Sequence, residues 1–167
     1  MTTIKPNVLA SPTETGEPCL GVYRLDPRAK LPVRAHETDV GWDVHAFLLT
    51  ESGRPSKKAI GRTETARIST GLILKPHPGY YIQVCSRSGL ATRSVFIANA
   101  PGIIDPDYTG ELQILLHNSG YETFWVEHDF RIAQIVLAPI VFQSLREISE
   151  APISKSRGEA GFGSSGT

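Results

Sequence analysis

An all-β fold is what this 167-residue chain predicts, on three observations. Short apolar runs recur along its length, broken by Gly, Pro, Asn and Asp. Almost nothing repeats with the 3.6-residue period of an amphipathic helix. The one plausible helical turn in the middle of the chain, Ser88–Ser94, is too short to carry a fold. Many short strands with turn residues between them suggest a sandwich or a closed barrel.

Residues 1–19 are rich in Thr, Pro and Glu and are expected to be extended or loosely ordered. Strand-like runs follow at Val44–Leu49, Ala66–Leu74 and Tyr80–Cys85. Between the first two, Thr50–Arg62 carries Arg54, Lys57, Lys58 and Arg62 and is expected to be a solvated hairpin loop. Ile97–Glu111 has two apolar arms around a tip rich in Pro, Gly and Asp, which predicts a hairpin. In Glu111–Leu116 the alternation puts Leu112, Ile114 and Leu116 on one face of a strand. Thr123–Glu127 and Arg131–Phe142 complete the apolar runs. Residues 152–167 hold many Gly and Ser, with Phe162 as their one aromatic residue. Such a tail buries too little apolar area to fold alone and should stay mobile until something docks it. The expected division is therefore a loose segment at 1–19, a β domain at 20–151 and an arm at 152–167.

Charge narrows the classes of partner. Lys plus Arg and Asp plus Glu balance at 17 each, without the basic excess of a protein that tracks a nucleic-acid polymer. Small phosphorylated ligands remain open, because a few well-placed arginines suffice for them. The N-terminal residues lack an apolar signal region, and no stretch reaches bilayer-spanning length, so no membrane partner is expected. Cys19 and Cys85 read as two reduced thiols of a cytoplasmic protein.

Four segments hold residue types suited to chemistry. Asp105-Pro106-Asp107-Tyr108 sets a carboxylate and an aromatic ring three residues apart at a turn. A sheltered carboxylate there can act as general base, and the ring can stack on a sugar or base. Asp in a turn also commonly bonds its own backbone, and the residues alone leave both readings open. Arg87-Ser88-Gly89, at the exit of a strand, combines a guanidinium fork, a hydroxyl and a closely approachable N–H. It is not a Walker loop, since Gly-x-x-x-x-Gly-Lys-Ser/Thr is absent. In Arg131–Val136, Gln134 shares a strand face with Ile132 and Val136 and must find hydrogen-bond partners there. Arg157–Gly166 offers Arg157, Ser164 and Ser165 for phosphates and Phe162 for stacking, on a chain that glycines allow to wrap tightly.

Together with Val40–Val44, and in their order along the chain, these segments resemble the five motifs of the trimeric dUTP diphosphatase family. Val40-Gly41-Trp42-Asp43-Val44 is similar to the first, Arg87–Ala91 to the second and Gly102–Glu111 to the third. Arg131–Gln134 is similar to the fourth and Arg157–Gly166 to the fifth, so the resemblance spans residues 38–167. It implies a jelly-roll subunit in a homotrimer with shared sites, closed by the C-terminal arm. The implied reaction cuts dUTP to dUMP and pyrophosphate, which keeps uracil out of DNA and supplies dUMP for thymidylate synthesis.

By the same resemblance, Asp105 activates the attacking water, and Tyr108 packs under the deoxyribose. Gly102 and Ile104 read uracil through their backbone, and Asn99 adds a side-chain bond. Arg87, Ser88, Gly89 and Gln134 hold the phosphate chain. Phe162 with Gly163 caps the base, while Arg157, Ser164 and Ser165 reach the outer phosphates. Mg²⁺ rides on the triphosphate, with Asp43 near its water shell. Trp42 and Ala160 depart from the family pattern, which usually has Tyr or Phe and Gly there.

The nearest rival is a dCTP deaminase, which needs a Glu ten residues past the Asp, where this chain has Leu115. It also usually carries Arg where this chain has Thr92. A regulatory, non-catalytic nucleotide-binding module is the rival of another class, and a protein partner for the 50–62 loop stays open. A nuclear location also stays open for a eukaryotic or viral source.

Overall fold

The structure is a computed structural model that describes residues 19–153; the expectations for residues 1–18 and 154–167 lie outside the described residues. Eleven strands and one helical turn occur among the described residues. They are β1 (Leu20–Arg24), β2 (Trp42–His45), β3 (Lys57–Ile60), β4 (Thr65–Ser69), β5 (Leu72–Pro76), β6 (Tyr80–Cys85) and α1 (Ser88–Ala91). There follow β7 (Val95–Ile97), β8 (Gly102–Ile104), β9 (Gln113–Asn118), β10 (Phe124–Glu127) and β11 (Arg131–Pro139). All named ladders are antiparallel. One sheet runs β2-β11-β6-β8 and another β4-β9-β7, with two-stranded pairs β1-β5 and β10-β3.

Period-two alternation builds the core. In the β4–β9 ladder Ala66 pairs with Leu116 and Ile68 with Ile114, and all four are buried. Burying one such Ile or Leu side chain contributes roughly 1.5–3 kcal/mol. The expected face of Leu112, Ile114 and Leu116 is indeed the inner one. Asn118 extends it as a buried polar residue, and its amide is satisfied. Nδ2 donates to the carbonyls of Ile60 (2.9 Å) and Glu122 (2.8 Å), and Oδ1 accepts from the Gly120 N–H at 2.9 Å.

Several expectations need correction. The Ala66–Leu74 run is two strands, because Gly71 turns at φ +67 with no room for a Cβ, which would lie 2.8 Å from Ala29 Cβ. The 50–62 segment is not all loop, since Lys57–Ile60 pairs with β10 and Ile60 is wholly buried. The ladder of the first run covers Trp42–His45 rather than Val44–Leu49. Ile97–Glu111 is not a laddered hairpin. Its β8 arm pairs with β6, while β9, which follows its other arm, pairs with β4 and β7. The two arms splay into different sheets.

Gln134 needs a correction too. A register shift between Arg131 and Ala133 interrupts the alternation, so Ile132 and Ala133 are both buried. Beyond the shift Ile135 points inward, which leaves Gln134 half-buried on the opposite face. A bulge re-aims side chains in this way.

Candidate active site

The β2-β11-β6-β8 sheet gathers segments that are far apart in the chain. On β11, Gln134 lies beside Asp43 of β2 and beside Cys85 of β6. Arg87–Gly89 leave the end of β6, and Asp105 leaves the end of β8, the neighbour of β6. The polar side chains form two groups.

The first group is cationic. Arg87 Nε donates to Asp43 Oδ1 at 2.7 Å and Arg87 Nη2 to Oδ2 at 3.3 Å. Arg131 Nη1 donates to the same Oδ2 at 3.2 Å. Two guanidiniums around one half-buried carboxylate leave a net positive charge, which suits an anion. Gln134 Nε2 donates to the Ser86 carbonyl at 3.1 Å, and Ser86 Oγ accepts the Ile97 N–H at 2.9 Å. Gly41 makes room for Gln134, since a Cβ there would sit 2.8 Å from Gln134 Oε1. Arg87 is extended (φ −87, ψ 132) and leads into α1, whose first bonds run from Leu90 and Ala91 to its carbonyl. The N–H groups of Ser88 and Gly89 precede those bonds, and both residues are exposed. Behind the group lies His45. Burial, then Lys30 and Arg131, push its imidazole down against the opposing pull of Asp43 and Asp129, which favours the neutral ring.

The second group stands on the splayed loop. The Tyr108 N–H donates to the Asp105 carbonyl at 3.1 Å and closes a β-turn with Pro106 inside it. The half-exposed Tyr108 donates its hydroxyl to the Glu111 carbonyl at 3.2 Å, folding over Gly110 where a Cβ would collide. Glu111 Oε1 accepts from the Ser69 hydroxyl, from the Thr70 N–H (3.1 Å) and from the Gly71 N–H (2.7 Å). Burial pushes the Glu111 carboxyl up, but Ser69, Gly71, Gln113 and Thr70 together hold it below the usual Glu value. Asp105, Tyr108, Glu111 and Gln113 line one cleft, and Asn99, Gly102, Ile104 and Leu115 line an adjoining slot. The slot is tight, since a Cβ on Gly102 would come 3.3 Å from Val84 Cβ.

Asp43 and Gln134 line a separate cleft, which shares no residue with these two. Arg157, Phe162, Gly163, Ser164 and Ser165 lie outside the described residues. Among the described residues no three His, Cys, Asp or Glu gather to hold a metal. A carboxylate accepts about four hydrogen bonds. The arginines make three to Asp43, which leaves one acceptor position on Oδ1. That fits a water of a cation's hydration shell better than direct ligation. Sequence reasoning attached no role to Arg131, Glu111 or Gly41, although all three stand inside quoted segments. Lys75, whose Nζ donates to the Pro106 carbonyl at 2.6 Å, had no signal in the sequence.

Comparison with known proteins gives a consistent result. The dUTPase family model matches residues 28–166. The deoxyuridine 5'-triphosphate nucleotidohydrolase of Clostridium acetobutylicum is 39% identical over 148 residues, 88% of this chain and 96% of that protein. Its counterpart in Brucella melitensis biotype 2 is 40% identical over 154 residues, 90% of this chain and 94% of that protein. Among solved structures, the Staphylococcus bacteriophage 80alpha dUTPase with dUPNHPP matches with a TM-score of 0.75 and 28% identity. That match covers 89% of this chain and 99% of the phage chain.

Proposed function

Since the chain belongs to the dUTPase family, we infer that it is a dUTP diphosphatase, an enzyme that hydrolyses dUTP to dUMP and pyrophosphate. Its all-β subunit is the family's jelly roll. The observation that carries the reading is the family match over residues 28–166, within which the two polar groups fall. A deaminase is disfavoured, because the slot beside Asn99 and Gly102 presents the hydrocarbon Leu115 where that chemistry needs a carboxylate.

The roles of individual residues are our proposal. Uracil enters the slot between β8 and β9, where the absence of a ladder leaves backbone N–H and C=O groups on the β8 edge to read it. Gly102 and Ile104 supply those groups, and Asn99 adds its amide. Tyr108 lies under the sugar. Arg87, Ser88, Gly89 and Gln134 bind the phosphates with their donors. Asp105 takes a proton from water as the oxygen attacks the α-phosphorus. The bond from that phosphorus to the oxygen bridging to the β-phosphate breaks, and pyrophosphate leaves. Phe162, Gly163, Ser164, Ser165 and Arg157 of the arm close the site and exclude bulk water. Mg²⁺ held with the triphosphate would supply charge neutralisation, and Asp43 would face its hydration shell.

We further propose a homotrimer in which neighbouring copies complete each site. The separation of the Asp105 cleft from the Asp43–Gln134 cleft within one chain supports this. The free thiols Cys19 and Cys85 favour a reducing, cytoplasmic setting. No helix among the described residues is long and apolar enough to cross a membrane. We also propose the division into a segment at 1–19, a β domain at 20–151 and an arm at 152–167.

The test is pyrophosphate release from dUTP, dCTP, dTTP and UTP with Mg²⁺, for wild type and Asp105→Asn. Release from dUTP alone is expected, with the variant slowed by about 10²–10⁴-fold yet still binding nucleotide. Full activity in the variant would remove Asp105 as the base. No release from dUTP by wild type would remove the diphosphatase reading.

A further inference from the structure

The turn that carries Asp105 is well fixed internally. Pro106 sets its own φ and confines Asp105 to extended backbone, and the Tyr108 N–H closes the turn on the Asp105 carbonyl at 3.1 Å. None of this holds the turn against the rest of the molecule. At its far end, Glu111 accepts the Thr70 and Gly71 N–H groups between β4 and β5. At its tip one further bond reaches in from the same region: Lys75 Nζ donates to the Pro106 carbonyl at 2.6 Å.

We propose that Lys75 is a positioning residue for Asp105, its ammonium holding the Asp105–Tyr108 turn against β5. The proposal rests on the assignment of Asp105 as base. Lys75 suits the task in three ways. Its strand is firmly seated, with Leu72, Leu74 and Pro76 buried on one face while Lys75 is half-buried on the other. Among the described residues no carboxylate lies within ion-pairing distance of its ammonium, so the Pro106 carbonyl is its recorded partner. The bond is also charge-assisted, and such bonds are roughly twice as strong as neutral ones. Because Pro106 follows Asp105 directly and its ring fixes φ, holding the Pro106 carbonyl limits how far the Asp105 backbone can shift. Glu111 thus holds the far flank of the turn to Thr70 and Gly71, and Lys75 holds its tip to β5. A shift of about 1 Å in a reacting group can cost about 10²-fold in rate.

The experiment compares full-length wild type, Lys75→Met and Lys75→Arg. Lys75→Met keeps the apolar stem and removes the donor. Its kcat on dUTP is expected to fall at least about tenfold while KM stays within about twofold, and Lys75→Arg should regain most of the loss. Without substrate, amide hydrogen exchange at Asp107 and Tyr108 should be faster in Lys75→Met than in wild type or Lys75→Arg. Wild-type kcat in Lys75→Met, a loss that Arg does not restore, or unchanged exchange at the turn would each overturn the proposal. A wild-type protein inactive on dUTP would count against the role of Asp105, and the exchange measurement would still decide whether Lys75 holds the turn.

Discussion

Gly41 shows how much a single position controls. Its missing side chain leaves the space that Gln134 Oε1 occupies, and an added Cβ would approach that oxygen to 2.8 Å. The amide cannot retreat freely, because its nitrogen is tied to the Ser86 carbonyl at 3.1 Å. Gly41→Ala should therefore break that bond and displace Gln134 from the group proposed to bind phosphate. A hydrogen bond of about 1 kcal/mol predicts a fall in kcat/KM of about fivefold, read by steady-state kinetics. Thermal melting should change little, since Gly41 lies at the surface of the cleft rather than in the core. An unaltered kcat/KM would show that Gln134 does not depend on that space.

At the scale of elements, the loop from β8 to β9 depends on Glu111. Burial disfavours its charge, and the donors from Ser69, Gly71, Gln113 and Thr70 outweigh that cost. The folded protein thus holds this proton less tightly than the unfolded chain does. The stability that Glu111 contributes is present above its ordinary value of 4.5 and is lost as pH falls below that value through the lowered folded one. Urea unfolding of wild type and Glu111→Gln at pH 7 and at about pH 3.5 tests this. Wild type should lose more stability over that interval than the variant. Equal losses would mean that the carboxylate's hydrogen bonds do not hold the loop. The bulge in β11 acts at the same scale, turning one register shift into the outward aim of Gln134.

At the scale of the whole molecule, much apolar surface stays uncovered among the described residues. Val141, Phe142, Leu145, Ile148 and Ile153 follow β11 and are all exposed, with Leu145 97% so. In the proposed trimer this run is the surface expected to meet a neighbouring copy. Two truncations separate association from closure, with mass read by light scattering. Ending the chain before Arg157 should leave a trimer but cripple turnover, because the arm is lost. Ending it before Val141 should give monomers as well. A full-length chain that ran as a fully active monomer would contradict the shared site.

The sequence by itself determined the fold class, and it supplied the residues proposed as reacting groups. Alternation such as Leu112, Ile114 and Leu116 is a local property, and it survives as the buried face of β9 and of the residue before it. The chemistry of Asp105, Arg87 and Tyr108 likewise belongs to residue types, and their order along the chain carries the family resemblance. Tertiary structure alone decided the rest. Whether Gln134 faced the core, whether β8 paired with β9, and which carboxylate Arg87 and Arg131 would share all depend on register between distant strands. The hold of Lys75 on Pro106 crosses 31 positions and has no periodic trace. Strand pairing is non-local, and a shift of one residue exchanges the two faces of a strand. Local pattern therefore names the groups, and the register of the sheets sets where they meet.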